Sequence, residues 1–428
     1  MLPQRRFGYH IGLLFMMTFT NAIVVVDRFG INYLSPYIVD EMGINNAQLG
    51  LLSSGLSVAV ALSGVLLSRF ADASGRRKQV LVVTLVLFSL VSALSGLAPS
   101  FMALLLARIL LGIPEGPIPA VAQSIVAIES PPHLRGFSMG MAQQLGASLV
   151  GVGLGPLLFT HIADAWGWRM AFLVSCAPGL LLALAIAVFM RPVREEAPGQ
   201  WSAPVSLRNL TDLRIILESA NFRRALMICG FTSAWMISLG VFTPIYLVKV
   251  HGLAPTDMGL VLSGTGLVGA FSGVIMPWLS DKLGRKPMLV ATALWGVITP
   301  FAIIGANGSM TVLVGGMLLG ALAMGGMPFS SILAAESVSP RYYATAIALI
   351  IANAEVMGGM LAPAIAGQLA DWFSLDAPFY FAAAMVMAAA LFGLTVKETA
   401  PGKADRFPGG EPRLADPPLA DGSLGADA

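Results

Sequence analysis

The chain has 428 residues, of which 56% are hydrophobic and only 11% are charged, and its formal net charge is +2. A soluble domain usually carries about 25% charged residues, and the mean hydropathy of this chain is +0.79. These values exclude a water-soluble globule, because too few polar side chains are present to coat one. They favour a protein that spans the lipid bilayer many times and has no nucleic-acid partner.

Apolar runs of about 18 residues or more recur along the chain, and each is long enough to cross a bilayer core. The first run continues without a small-residue cleavage site, so we interpret it as a transmembrane helix and not as a signal peptide. We predict an all-α membrane protein with twelve transmembrane helices, at about 9–36, 47–70, 79–97, 101–127, 137–161, 168–190, 222–248, 257–280, 287–306, 310–335, 342–370 and 378–397.

Basic residues alternate between the two sides of these predicted helices. The loops after every second helix and both chain ends collect them, whereas the opposite loops hold little beyond Arg169 and Lys249. Loops rich in lysine and arginine stay in the cytoplasm. We therefore predict that both termini are cytoplasmic. An even number of helices places the two termini on the same side, in agreement with this prediction.

Charged residues lie inside two predicted helices of the first half of the chain. Asp27 and Arg28 are adjacent in helix 1, and Arg108 and Glu115 stand seven residues apart in helix 4, on one face. A charge at the bilayer centre costs about 2.5–3.5 kcal/mol, so such residues usually mark a substrate or proton pathway. The alternative is a structural role, in which each acid only neutralises an arginine. Three prolines interrupt helix 4 near Glu115, and because broken helices are tolerated where they line a cavity, they favour the functional role.

These residue types suit proton-coupled transport of an anion. A carboxyl group in such a place changes its protonation when its solvent access or its cationic partner changes. An arginine stays charged and binds carboxylates through two parallel hydrogen bonds. When a substrate carboxylate takes the arginine, the acid that held it is freed to bind a proton, which would couple the two fluxes.

Three further residues are candidate substrate contacts: Tyr33 in helix 1, and Asn353 and Glu355 in helix 11. For the tyrosine, side-chain packing is an equal alternative. Asn353 is two residues from Glu355 and points to a different face. Glu355 has no basic partner in the helices of the second half, so it either stays protonated and packs between helices or adds another titrating site.

A long polar stretch, residues 191–221, divides the chain. We predict a six-helix N-terminal half over 1–190, a cytoplasmic linker over 191–221, and a six-helix C-terminal half over 222–397. The remainder, 398–428, is rich in Pro, Gly and Asp, which is typical of a disordered tail.

The two halves share a loop sequence. RFADASGRRK at 69–78 follows helix 2, and WLSDKLGRKP at 278–287 follows helix 8, the second helix of the other half. Two ordinary charged turns would be the alternative, but the matched positions indicate a repeat. Six-helix repeats with ion and substrate sites between them are a transporter architecture. The shared residues are Asp72, Gly75 and Arg76 in the first loop, and Asp281, Gly284 and Arg285 in the second.

Both loops resemble the signature loop of the major facilitator superfamily, although Ser68 and Pro277 stand where that loop normally begins with Gly. The resemblance implies twelve helices in two pseudo-repeat halves and a monomer. It also implies that the six shared loop residues act in gating: the aspartates pair with basic residues and helix ends at the cytoplasmic gate and help to close the outward-facing state.

Three segments together resemble the anion:cation symporter family: Asp27-Arg28, RILLGIPEGP at 108–117, and PIYLVKVHGL at 244–253. The resemblance covers about residues 9–397. It implies uptake of a sugar acid, an aromatic acid or a dicarboxylate through a bacterial inner membrane, with protons as the coupling ion and no other cofactor. Glu355 departs from the family, which normally has a small or neutral polar residue there, and this leaves the substrate open.

That resemblance also implies roles for the charged residues. Asp27 and Glu115 would be the protonatable pair, and Arg28 would organise them. Arg108 would bind the substrate carboxylate or link it to the acids. Gln144 in helix 5 would be a polar substrate contact, with the adjacent Gln143 as the alternative.

Other functions remain alternatives. A proton-driven efflux antiporter of the same superfamily is the first, although an intramembrane Asp-Arg pair with a second arginine argues against cationic drugs. A non-transporting sensor or a membrane enzyme is the other class. The sequence has no Walker loop and no Ser/His/Asp set, and it has no attached soluble domain, so neither is favoured.

Overall fold

The computed structural model describes residues 4–130, 138, 141–191, 210–338 and 343–399. Within these ranges the side chains of Asp72 and Gln144 lie outside the described part, so two predicted site residues receive no structural account. Across the described residues, twelve helices are long and apolar enough to cross a membrane. The predicted number of spanning helices is therefore confirmed.

Six of these helices belong to the N-terminal half, and we number them in chain order. They are α1 (Gln4–Tyr33), α2 (Asn46–Ser74), α3 (Arg77–Gly96), α4 (Phe101–Glu115 continued by Pro117–Glu129), α5 (a π-helical Met141–Leu154 continued by Gly155–Trp166) and α6 (Trp168–Phe189). A short helix, Ser35–Met42, stands between α1 and α2.

The C-terminal half contributes the other six. They are α7 (Ala220–Lys249), α8 (Pro255–Leu283), α9 (Arg285–Trp295 and Ile298–Gly305), α10 (Met310–Gly320, a 3-10 turn Ala321–Gly326, and Pro328–Glu336), α11 (Tyr343–Ala354, a π-helical Glu355–Leu361, and Ala362–Trp372) and α12 (Ala377–Thr395). A further helix, Leu210–Glu218, lies within the predicted linker.

Local sequence explains where several helices begin. Ser100, Ser219 and Ser309 precede α4, α7 and α10, and each hydroxyl accepts a hydrogen bond from the backbone N–H three residues on. Such serines satisfy one of the N–H groups that the first helical turn leaves unpaired. Inside the membrane, the helix satisfies the remaining backbone groups itself, as a bilayer requires.

Each half has its own apolar core. The N-terminal core is built around residues such as Leu13, Phe88 and Phe172, and the C-terminal core around residues such as Phe222 and Phe242. The outer surface is apolar as well, since large side chains along the helices are more than half exposed, among them Leu62, Leu184, Phe189, Phe271 and Val274. A soluble protein rarely exposes so much apolar surface, so this surface faces lipid.

Among the described residues, the close contacts between the two halves lie near the middle of the molecule and at one of its sides. We call the side that carries the loops 69–78 and 278–287 the basic face, and the other side the opposite face. At the opposite face the start of α2 packs on the end of α11, and α5 packs on the first half of α8. Glycines make this approach close, because a side chain at Gly50 or Gly266 would collide with the backbone of Pro363 or Val152, respectively.

Polar contacts of two acids, Asp371 and Asp40, tie the halves together at the opposite face. Asp371, at the end of α11, accepts hydrogen bonds from the backbone N–H groups of Asn46 at 3.0 Å and Ala47 at 2.9 Å, at the start of α2. Lys249, at the end of α7, forms an ion pair with Asp40 of the short helix after α1. We call these contacts the opposite-face latch.

Candidate functional site

Asp27 and Arg28 of α1 point in different directions, because neighbouring residues of a helix are about 100° apart. Asp27 faces into the N-terminal half and is 2% exposed. Its carboxylate accepts hydrogen bonds from the hydroxyls of Ser92 in α3 and Ser175 in α6, the latter at 3.2 Å. Arg28 faces the junction between the halves, and 22% of its side chain is exposed.

Arg28 binds acids from both halves. Its Nη1 lies 3.6 Å from Oε1 of Glu115 in α4, and its Nη2 lies 2.5 Å from Oε2 of Glu355 in α11. The Nη2 also donates to the hydroxyl of Ser57 in α2 at 3.3 Å. The pair with Glu355 spans 327 positions of the chain and joins the two halves at the charge cluster.

Arg108 is enclosed completely, with 0% of its side chain exposed. Its Nη1 is 3.8 Å from Oδ2 of Asp27, and its Nη2 donates to the backbone carbonyl of Arg28 at 2.9 Å. In this conformation Arg108 therefore links the carboxylate of Asp27 to the backbone of Arg28 inside the N-terminal half. Of the two arginines, Arg28 is the one with a partly exposed side chain. Of the two alternative expectations for Arg108, direct substrate binding is not open to it in this arrangement.

Several buried polar atoms of the cluster have no hydrogen-bond partner among the described residues. They are Oδ2 of Asp27, both carboxylate oxygens of Glu115, and Nε and Nη1 of Arg108. Buried polar atoms without a partner are uncommon in native structures, and each calls for a functional or structural explanation. Two of these atoms face each other, Nη1 of Arg108 and Oδ2 of Asp27, at 3.8 Å.

The break in α4 places Glu115. The helix passes Pro114 and restarts at Pro117, and at the break it lies directly against α2. A side chain at Gly112 or Gly116 would overlap the backbone of α2, and the hydroxyl of Ser63 in α2 donates to the carbonyl of Gly112 at 3.0 Å. The glycines and prolines of this segment thus bring Glu115 close to α1, while the carbonyl group of Gly112 at the break keeps a hydrogen-bond donor.

A π-helical turn of α11 places Glu355. The turn begins at Glu355, and its glycines pack closely on the neighbouring helices, Gly358 on Ser233 of α7 and Gly359 on Ser57 of α2. Single π-helical turns inside α-helices occur frequently at functional sites. This turn carries Glu355 to Arg28, which supplies the basic partner that the second half of the sequence does not offer.

Two other predicted substrate contacts, Tyr33 and Asn353, do not join the cluster. Tyr33 is 5% exposed and packs beside Phe29 in the apolar core of the N-terminal half. The amide nitrogen of Asn353 donates to the backbone carbonyl of Leu226 in α7 at 2.8 Å, so this side chain fastens α11 to α7. The side chain of Gln144 lies outside the described part of the chain.

The two signature loops reverse direction at glycines. Gly75 has a φ of 66° and Gly284 a φ of 113°, a backbone conformation that side chains disfavour. Next to Gly75, Arg76 is exposed. The side chain of its predicted partner Asp72 lies outside the described residues.

The second loop is held by contacts within the C-terminal half. Arg285 pairs with Asp281 at 2.6 Å and with Glu336 of α10 at 3.1 Å. The carboxylate of Glu398 accepts the backbone N–H groups of Arg285 at 2.8 Å and Lys286 at 3.2 Å, at the start of α9. Glu398, which the sequence analysis assigned to the tail, is therefore held against the loop.

Some contacts of the site were not predicted from the sequence. Ser57, Ser92 and Ser175 gave no signal, since small polar residues occur throughout the helices. Asp371 is an acid at a predicted helix end, but nothing local indicates that it binds the start of α2.

Comparison with known proteins identifies the family. The sequence profile described as Major Facilitator Superfamily matches residues 17–285 and 226–420. The hexuronate transporter of Bacillus subtilis (strain 168) is 27% identical over 322 residues, which are 71% of this chain and 74% of that protein. A probable sulfoacetate transporter of Cupriavidus necator is 26% identical over 410 residues, 90% of this chain and 93% of that protein.

A solved structure shows the same fold. A bacterial homologue of the human lysosomal transporter Spinster, in an inward-facing and unoccupied conformation, superposes with a TM-score of 0.75 and 20% identity over 91% of this chain and 95% of that one. Together, the matched profile, the twelve spanning helices and this fold lead to one conclusion: the chain is a membrane transporter that belongs to the Major Facilitator Superfamily.

Proposed function

We propose that the protein is a secondary active transporter that takes up a small organic anion together with protons. The observation that carries the proposal is the cluster of Asp27, Arg28, Arg108 and Glu115 within the N-terminal half, reached from the other half by Glu355. Two relatives named for the transport of organic acids, hexuronate and sulfoacetate, support an anionic substrate.

Arg28 is the group that would bind the substrate carboxylate. It is the partly exposed arginine of the cluster, and its planar guanidinium can hold a carboxylate through two hydrogen bonds. Arg108, fully buried, would act through its hydrogen bond to the Arg28 backbone and its ion pair with Asp27. A substrate bound at Arg28 would thereby affect both acids of the N-terminal half, Glu115 directly and Asp27 through Arg108.

Asp27 and Glu115 would carry the protons. Each sits beside an arginine at 3.6–3.8 Å, beyond direct hydrogen-bond distance, and keeps at least one carboxylate oxygen without a hydrogen-bond donor. When an anion engages Arg28, the attraction that holds Glu115 ionised weakens, and the carboxylate takes up a proton. Cotransport of the proton with the anion then follows from the shared arginine.

Alternating access would proceed by movement of one half against the other. The opposite-face latch closes one side of the molecule, and the basic residues predict that the basic face and both termini are cytoplasmic. On this assignment the latch closes the side that faces away from the cytoplasm. The loop with Asp281, Gly284 and Arg285, together with its counterpart at Asp72, Gly75 and Arg76, would act when the cytoplasmic side closes.

The test is proton movement into liposomes that contain the purified protein and a pH-sensitive dye. D-glucuronate, sulfoacetate, benzoate and succinate are added outside one at a time, as a sugar acid, a sulfonated acid, an aromatic acid and a dicarboxylate. Acidification of the lumen by one of them that protein-free liposomes do not show supports symport and names the substrate class. Alkalinisation would indicate proton antiport, as in an efflux transporter, and no response to any organic anion would contradict the proposal.

A further inference from the structure

Glu355 adds a third carboxylate to the charge cluster, from the opposite half of the protein. Its Oε2 is 2.5 Å from Nη2 of Arg28, while Glu115 is 3.6 Å from Nη1 of the same guanidinium. The Glu355 side chain is 20% exposed, close to the 22% of Arg28. A carboxylate of the protein itself therefore occupies the accessible edge of the arginine that would bind substrate.

The charges of the cluster do not balance. Three carboxyl groups face two guanidinium groups: Asp27, Glu115 and Glu355 against Arg28 and Arg108. With every group ionised, the cluster carries one net negative charge. The helices packed against Glu355 bring neutral polar groups to this place, Ser57 from α2 and Ser233 from α7.

An anion cannot join such a cluster while all its acids are ionised. A substrate carboxylate needs the edge of Arg28 that Glu355 holds, and in a partly desolvated site the repulsion between like charges is large. Once displaced, Glu355 would be left as a carboxylate without its cation between the two halves, a strongly unfavourable state. Protonation of Glu355 removes both obstacles at once.

We infer that Glu355 is a third proton-carrying group, whose protonation releases Arg28 to the substrate carboxylate. Each anion is then transported with one more proton than Asp27 and Glu115 alone would carry. The balance is simple: one proton enters as the Arg28–Glu355 ion pair opens, and it leaves when that pair reforms after the substrate departs. Because the Arg28–Glu355 pair joins the two halves, its opening also removes this contact between α1 and α11. This inference rests on the proposed function of anion symport.

The first experiment measures the number of protons per anion. Liposomes with the wild-type protein or the Glu355→Gln variant are loaded with labelled D-glucuronate at several pH gradients, with the membrane potential held at zero by potassium and valinomycin. At equilibrium, each coupled proton multiplies the accumulation ratio about tenfold per pH unit of gradient. The variant is expected to lose about tenfold per pH unit, and Glu355→Asp, which still titrates, is expected to keep the wild-type dependence.

A matched control is Glu218→Gln, because Glu218 is an exposed acid paired with Arg214 outside the spanning helices. It should accumulate the anion as the wild type does. An unchanged dependence on the pH gradient in Glu355→Gln would overturn the inference. The inference would also be overturned if Glu355→Gln kept the wild-type dependence on the pH gradient but lost uptake of glycine betaine. In that case Glu355 would bind the positively charged end of a zwitterion.

A second measurement needs no substrate. Infrared difference spectra between neutral and acidic pH record the carbonyl band of each carboxyl group that becomes protonated. Glu355→Gln should lose one component of this band, whereas Glu218→Gln should keep it, with folding verified by size-exclusion chromatography. An identical band in Glu355→Gln would overturn the inference. If the wild type transports none of the organic anions while the component is lost, the proposed function fails but Glu355 is still shown to take up a proton.

Discussion

Asp371 offers the sharpest test of how the two halves separate. Its carboxylate accepts two backbone N–H groups at the start of α2, from Asn46 and Ala47, and the amide of Asn46 at 2.9 Å. Within α2's own half, Asn45 accepts the next N–H group, from Gln48, at 2.8 Å. The first turn of α2 is thus capped jointly by both halves, and the Asp371 part of that cap must break when the opposite face opens.

The magnitude follows from these contacts. Removing a side chain that caps a helix start costs about 0.5–2 kcal/mol, and an exposed site such as this one belongs near the middle of that range. With the latch weakened by about 1 kcal/mol, the ratio of opposite-face-closed to opposite-face-open molecules should fall about fivefold. Asp371→Asn should have a smaller effect than Asp371→Ala, because asparagine also caps helices well.

The assay is a distance measurement between two spin labels on the opposite face, one in each half, with Cys176 and Cys229 replaced by serine. Asp371→Ala should increase the population with the longer distance about fivefold. Asp376→Ala is the control, since Asp376 binds Tyr246 within the C-terminal half at 2.5 Å and should leave the distribution unchanged. If Asp371→Ala leaves the distribution unchanged, or Asp376→Ala shifts it equally, the reasoning is refuted.

Three further predictions concern the cluster and its packing. Glu115→Gln should lower the accumulation ratio about tenfold per pH unit of gradient while anion exchange persists in counterflow, and a wild-type dependence on the pH gradient in this variant would remove Glu115 from the proton pathway. Arg28→Lys should weaken anion binding about 10- to 100-fold in a calorimetric titration, because a lost hydrogen bond to a charged group is worth about 1.5–3 kcal/mol, and unchanged affinity would place the anion elsewhere. Gly116→Ala should destabilise the protein by about 1–3 kcal/mol through overpacking against α2, seen as a lower thermal unfolding temperature. Gly305→Ala, where a side chain meets nothing within 4 Å, should not, and equal effects of the two variants would contradict the close packing of α2 and α4.

Much of the site could be predicted from the sequence, because its signals are local. Arg108 and Glu115 are two helical turns apart and had to share a face, and the proline-rich break beside Glu115 marked that segment. Asp27 and Arg28 stood out because charged residues are rare in apolar runs. The roles of the two arginines could not be separated in this way, since their burial depends on which helices pack around them.

The sequence by itself determined the twelve helices, the repeated loops and the intramembrane charges of the N-terminal half, because apolar run length and helical periodicity act within single segments. Only the tertiary structure decided that Glu355 meets Arg28, that Asp371 caps α2, and that Arg108 is enclosed while Arg28 is accessible. These contacts join residues up to 327 positions apart. They depend on how one six-helix half docks on the other, and no local pattern encodes that arrangement.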